Sequence, residues 1–268
     1  MSVPADPQEL LDLAIDLTAR AGQLVRQTRE QAITEVDTKS SSTDVVTAAD
    51  RAAERLVVAG LREARPGDAV LGEESGSHDA PAAEVRWILD PIDGTVNYLY
   101  GLPAYAVSLA AEVDGEVVAG VVRNPASGEV YTAVRGRGAY RDGIRLTGPR
   151  PTGLPQALVA TGFAYDRERR ARQAGVVAGL LPRVRDIRRI GAAALDLCFA
   201  AEGRLDAYYE RGIQPWDHAA GGLVAAEAGL RVGGLRGATA GRELVLAARG
   251  DLFDELHDLL VELGIDEV

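Results

Sequence analysis

The segment Trp87-Ile88-Leu89-Asp90-Pro91-Ile92-Asp93-Gly94-Thr95 runs an apolar strand straight into two carboxylates, a glycine and a hydroxyl. Pro91 fixes one φ angle and removes one amide donor, so a turn here can aim Asp90, Asp93 and the Ile92 carbonyl the same way. Gly94 and Thr95 then offer backbone N–H groups where a helix can start, and helix starts attract phosphate. Carboxylates that hold a cation beside amides that hold an anion suit a metal-phosphate site. A strand closed by an Asx-type turn uses the same residue types, so the segment alone leaves both readings open.

Two other segments place acid at the edge of an apolar element: Gly72-Glu73-Glu74-Ser75 and Pro215-Trp216-Asp217. Each can be a turn or a cap, and Asp217 fits a helix N-cap or first-turn acid. Jointly they match a hard divalent cation, because Mg²⁺ takes oxygen ligands from several elements and keeps several waters rather than entering a closed protein cage.

These acids need elements to carry them. Leu10, Leu13, Ala14, Leu17, Ala21, Leu24 and Val25 recur at helical spacing and predict a helix over 7–30. A polar loop, 39–44, follows; Thr47 with Asp50 three residues on forms a capping arrangement for a second helix to about Ala64, which Arg65-Pro66-Gly67-Asp68 breaks. Residues 104–146 alternate β-rich runs with turn signals at Asp114-Gly115, Asn124-Pro125, Ser127-Gly128 and Asp142-Gly143, the pattern of an antiparallel meander. After 149–153, strands at 157–160, 186–190, 205–210 and 243–248 alternate with helices at 166–181, 193–202, 217–228 and 251–263. The expectation is an α+β lobe over 1–148 and an α/β lobe over 149–268.

The chain has 268 residues, is 47% hydrophobic, and can bury a sizeable core. Its 29 basic and 40 acidic side chains, net −11, argue against direct nucleic-acid binding, which basic patches carry. The arginines in 167–172 and 183–189 form the one basic cluster, a pattern ordinarily made by solvated helix faces. The single cysteine, Cys198, excludes an internal disulfide and sits in an apolar stretch as a small buried hydrophobe. Neither an export signal nor a membrane anchor is read, so a cytoplasmic location is expected.

Taken in order, 43–50, 72–75, 90–95, 189–196, 206–210 and 216–217 resemble the inositol monophosphatase family, in its bacterial inositol-1-monophosphatase branch, over nearly the whole length. The resemblance implies a layered α-β-α-β-α sugar-phosphatase fold, usually a homodimer, with the active site between the lobes. It implies two to three Mg²⁺ ions. Glu73, Asp90 and the Ile92 carbonyl would hold the first, and Asp90, Asp93 and Asp217 the second. Glu73 would also position a weaker third ion and the nucleophilic water, with Asp50 and Thr95 paired beside that water. Gly94 and Thr95 would hold phosphate oxygens through their amides, with Asp93 and Asp217 also bordering the substrate. Gly191 and Ala193 would bring backbone close to it, and Glu210 would accept hydrogen bonds from its hydroxyls.

Some positions keep two readings. Glu210 is also a possible solvated strand-end acid, and Lys39, which resembles a loop lysine near the third ion, is equally a surface lysine. His218 has no second His or Cys at zinc-ligand spacing and reads as a first-turn helix residue. Ala192 and Val96 stand where many members carry a hydroxyl, which weakens strict inositol preference. The implied activity is Mg²⁺-dependent hydrolysis of inositol monophosphate, sensitive to lithium. The alternatives keep that chemistry on histidinol phosphate, fructose 1,6-bisphosphate or a 3′-phosphonucleotide, or make the chain a regulator that binds the transcription machinery.

Overall fold

A computed structural model describes residues 5–32, 36–38, 45–78, 80 and 83–268; the expected loop at 39–44, including Lys39, lies outside them. Helix α1 (Pro7–Ala32) is followed by the paired short strands β1 (Val36–Thr38) and β2 (Val45–Thr47), then by α2 (Ala48–Ala64). Next come β3 (Ala69–Gly72), β4 (Gly76–His78), β5 (Val85–Asp93), the short α3 (Thr95–Tyr100), β6 (Ala106–Val113), β7 (Glu116–Arg123), β8 (Val130–Val134), β9 (Gly138–Arg141) and β10 (Ile144–Arg145). The second half contains β11 (Leu158–Thr161), α4 (Arg167–Leu180), β12 (Asp186–Arg188), α5 (Ala193–Glu202), β13 (Ala207–Glu210), α6 (Pro215–Glu227), β14 (Arg231–Gly233), β15 (Val245–Ala248) and α7 (Gly250–Glu262).

Strands β3 to β10 form one sheet, in the order β10-β9-β8-β7-β6-β5-β3-β4. Only β3 and β5 run parallel in it, and the meander from β5 to β10 is antiparallel as the turn signals predict. The second sheet, β12-β11-β13-β15-β14, is mixed: its first three strands are parallel and β15 is antiparallel to both its neighbours.

Period-two alternation decides what each sheet face buries. Trp87, Leu89, Val107, Leu109 and Val121 point to α1 and α2, whose Leu10, Leu17, Val25, Val57 and Leu61 complete that core. Ile88, Ala106, Ala110 and Val122 point the other way, into a middle core with Leu197 of α5, Val224 of α6, and Tyr208 and Val245 of the second sheet. The far face of that sheet, Val159, Tyr209 and Leu246, packs on Val176 of α4 and Leu256 of α7. Five layers result, α-β-α-β-α. Helices α5 and α6 lie between the sheets and touch closely: a Cβ on Gly221 would stand 2.9 Å from the Ala194 carbonyl oxygen, so only glycine fits there.

Differences from the sequence reading are local. Helix α6 begins at Pro215 rather than Asp217, because Gln214 caps it in a capping box with Asp217 at the third position. The strands β4, β10 and β14 have three residues or fewer, too short to show a period. Among the described residues no helix is long and apolar enough to cross a membrane.

Candidate active site

The turn after β5 is built as its residues suggest. Asp90 Oδ1 accepts the amide of Ile92 at 3.0 Å, an Asx turn around Pro91, and Gly94 takes φ 91° to redirect the chain into α3. Asp217, in the first turn of α6, spends one oxygen on the Gln214 amide. Asp90, Asp93 and Asp217 then each present a carboxylate oxygen, all within 4.8 Å of one another. They line a cavity of about 130 Å³ together with Glu73, Thr95, Gly191 and Glu210.

The turn reading of the first motif holds, and the Asx turn is the device that brings Asp90 and Asp93 to one side. Asp217 is likewise both a first-turn acid and a member of the cluster.

Burial and like charges make this group costly to ionise without a counter-charge. Burial first, then the charges of Glu73, Asp93 and Asp217, push the Asp90 carboxyl well above the usual carboxylate range. Burial lifts Asp93 to about 7, with Glu210 and Glu73 adding to the rise while the amides of Ala194 and Ala193 oppose it. Asp217 is raised by burial and by Asp93. Buried, mutually repelling oxygen ligands suit a hard divalent ion, which would relieve the repulsion and supply the missing positive charge. The donor set therefore fits a metal.

Asp50 and Thr95 meet behind the cluster. Asp50 is fully buried at the start of α2, where its Oδ2 accepts the Thr47 amide at 2.8 Å and Thr47 Oγ1 returns the cap to the amide of Ala49. Thr95 Oγ1 lies 3.1 Å from Asp50 Oδ1 and 3.0 Å from the Ile92 carbonyl oxygen. One hydroxyl proton serves two acceptors, so the pair has a choice of partner.

Two residues that hold this geometry escape the sequence reading. Glu54 Oε2 accepts the amide of Glu74 at 2.9 Å and Oε1 that of Ser75 at 2.7 Å, fixing the loop that carries Glu73. Gly72 lies below it, where a Cβ would stand 2.7 Å from the Glu54 carboxylate and push that side chain off the loop. The signal was present: Glu54 is an acid one residue after Ala53 on the inner face of an amphipathic helix. Asn97 Nδ2 donates to the carbonyls of Ala104 and Ile190 at 2.7 and 2.8 Å, tying α3 to the segment before α5. No spacing pattern announces that bond.

At the opposite wall, Glu210 accepts the hydroxyl of buried Tyr208 at 2.8 Å and packs against Gly162, where any Cβ would collide with it. It lines the cavity, as do Gly94, Gly191 and Ala193. Ala193 turns its amide to Asp93 Oδ1 at 3.2 Å. Ala192 is 1% exposed and is not part of the cavity wall; its methyl lies 3.1 Å from where a Cβ on Gly94 would be. His218 stands outside this cavity, neutral, its pKa lowered to about 4 by burial, and Cys198 is fully buried.

The layered fold recurs in solved structures. The family model for the inositol monophosphatase family matches residues 6–263. The inositol-1-monophosphatase SuhB of Mycobacterium tuberculosis is 47% identical over 272 aligned positions, which cover 94% of this chain and 93% of that protein. The Nus factor SuhB of Escherichia coli is 36% identical, with 94% and 98% covered. The crystal structure of the extragenic suppressor protein suhB of Bartonella henselae superposes with a TM-score of 0.88 at 32% identity, covering 94% of this chain and 98% of that one. The chain belongs to the inositol monophosphatase family, and the resemblance read from the motifs holds over the whole fold.

Proposed function

We propose that this protein is a Mg²⁺-dependent phosphomonoesterase that hydrolyses inositol monophosphate to inositol and phosphate. The observation that carries the reading is the convergence of Asp90, Asp93 and Asp217 within 4.8 Å in a cavity shared with Glu73, Thr95 and Glu210. Glu73, Asp90 and the Ile92 carbonyl would hold one ion, Asp90, Asp93 and Asp217 a second, and Glu73 would help with a third. When bound, Mg²⁺ acidifies the attacking water and neutralises charge on the phosphate and the leaving alkoxide. Glu73 positions that water, and Thr95, oriented by Asp50, takes its proton while passing its own to the carboxylate. The amides of Gly94 and Thr95 bind phosphate oxygens. Glu210, with backbone at Gly191 and Ala193, accepts the hydroxyls of the alcohol. No covalent phosphoenzyme is needed. We further place the protein in the cytoplasm as a homodimer of two-lobed subunits divided near residue 148.

Relatives called Nus factor SuhB are the observation that favours a second reading, a regulator acting on the transcription machinery. The complete acidic set favours catalysis, because a binding module has no use for a buried group of metal-ligand carboxylates.

The deciding experiment is a phosphate-release assay of the purified protein on inositol 1-phosphate, histidinol phosphate, fructose 1,6-bisphosphate and adenosine 3′,5′-bisphosphate, with Mg²⁺ and with chelator. Metal-dependent release, with the highest kcat/KM on inositol 1-phosphate, is expected. Preference for another ester moves the protein to that substrate, and no release from any of them leaves the regulatory reading.

A further inference from the structure

Besides its acids and glycines, the catalytic cavity is lined by Phe163, Tyr165 and Ile213. The same three side chains, with Glu210, also line a wider cleft of about 510 Å³ that opens beside it. Apolar surface therefore faces the reacting space at its mouth, next to the acid assigned to the alcohol. Tyr165 is 38% exposed there.

Both aromatics belong to 162–165, the connection from β11 to the Asp166 N-cap of α4. Asp166 fixes the far end of this segment by accepting the amide of Arg169 at 2.7 Å. The middle is fixed from below: Gln173 Oε1 accepts the amide of Ala164, between the two aromatics, at 2.8 Å. Gln173 is buried on the inner face of α4, on one stripe with Val176 and Leu180, where an apolar side chain would be expected. A buried amide group is costly unless it is hydrogen-bonded, and here the bond runs to the cavity wall. Packing does less to hold that wall. A void of about 10 Å³ lies between Phe163 on one side and Gln173, Val176 and Tyr209 on the other, and dispersion contacts are lost across such a gap.

We propose that Gln173 is a positioning residue for the alcohol half of the site, holding 162–165 so that Phe163 and Tyr165 wall the space in which Glu210 receives the hydroxyls of the alcohol. The inference rests on reading the cavity as a phosphomonoesterase site. A ring alcohol suits such a wall, because its C–H edge can lie against aromatic faces while its hydroxyls turn to the acid. Gln173 touches no substrate and acts only through the backbone it holds.

The test compares a ligand that reaches the wall with one that does not. The protein loaded with Ca²⁺ is titrated calorimetrically with inositol 1-phosphate and with inorganic phosphate. Gln173→Leu, which fills the space and removes the acceptor, should weaken inositol 1-phosphate at least about fivefold and leave phosphate within about twofold. Gln173→Glu keeps an acceptor for the Ala164 amide and has Arg211 as a neighbour on the same void, so it should restore most of the parental affinity. Tyr165→Ala, at an exposed position, should reproduce the selective loss without disturbing the fold. In turnover with Mg²⁺, Gln173→Leu should raise KM for inositol 1-phosphate and largely spare kcat. Equal weakening of both ligands, parental affinity in Gln173→Leu, or parental affinity in Tyr165→Ala overturns the proposal; if Gln173→Leu does not fold, Tyr165→Ala decides alone. Absence of phosphate release from the parent would sink the phosphatase reading, whereas a selective loss of inositol 1-phosphate binding would still support the role of Gln173.

Discussion

Asp93 Oδ2 accepts the backbone amide of Ala194 at 2.7 Å while Asp93 Oδ1 accepts that of Ala193 at 3.2 Å. A carboxylate from the end of β5 thus caps α5 across 100 residues of sequence. The cap is needed because Ala192, at the N-cap position of α5, has no side chain able to accept those amides. Asp93→Asn would turn an NH₂ group toward one N–H and remove a charge from the cluster. Turnover should fall at least about a hundredfold at saturating Mg²⁺, with about 1–2 kcal/mol lost in urea unfolding. A folded Asp93→Asn protein with near-parental turnover would remove Asp93 from the metal site.

Thr95 is expected to handle a proton rather than to hold metal. Thr95→Ala keeps the backbone amide, so Mg²⁺ affinity should stay within about twofold of the parent while kcat falls at least about tenfold. Metal titration of activity reads both quantities. Weaker Mg²⁺ binding with an unchanged maximal rate would make the hydroxyl a brace.

Glu54 touches no substrate, yet its two oxygens hold the Glu74 and Ser75 amides. Glu54→Gln leaves one of those donors facing another N–H, and the loop of Glu73 should loosen. We expect the Mg²⁺ concentration for half-maximal activity to rise about tenfold, with about 1–3 kcal/mol of stability lost. A loss of stability alone, at parental metal dependence, would separate Glu54 from the site.

For the alcohol, Glu210→Ala should cost much more on inositol 1-phosphate than on p-nitrophenyl phosphate, since only the former carries hydroxyls that lose a partner. The ratio of the two kcat/KM losses is expected to exceed about tenfold, and equal losses would give Glu210 a structural role. Ala192→Thr should not raise inositol preference, because its methyl packs on Gly94 outside the cavity wall.

Acid sensitivity away from the site follows from Glu129. Burial works to raise its pKa, but hydrogen bonds from Arg204 and Ser127 and the charge of Arg141 hold it below the ordinary 4.5. A lowered carboxyl contributes stability that is present above 4.5 and is lost as pH falls through the folded value. Glu129→Gln should therefore lower stability by less than about 1 kcal/mol at pH 7, and the gap from the parent should close toward pH 3. Thermal melts at the two pH values check this, and a gap that widens in acid would reverse the sign.

The acids were legible because their chemistry is written locally: Asp90-Pro91-Ile92-Asp93-Gly94-Thr95 carries its own turn, and Thr47 with Asp50 its own cap. Long elements were legible for the same reason; the 193–202 helix lies at those residues, and α1 and α2 follow their apolar spacing. What could not be read was tertiary. Glu54 reaches the loop 20 residues on, Asn97 bonds a carbonyl 93 residues away, and Asp93 caps α5, all fixed by how layers stack rather than by neighbouring residues. Arg169 shows the limit of composition, since its run reads as solvated and only the packing over Gly212 sets it apart.

The tight seat of Gly221 on Ala194 joins the helix that binds Asp93 to the helix that carries Asp217. Assembling the acidic cluster therefore requires the middle layer to be in place, and separating the sheets would scatter its carboxylates. Any cation held there acts as a thermodynamic clasp on the entire five-layer stack: its binding free energy is added to the stability of the folded state as a whole. Metal should accordingly slow amide hydrogen exchange deep in both sheets, far from any residue that touches it.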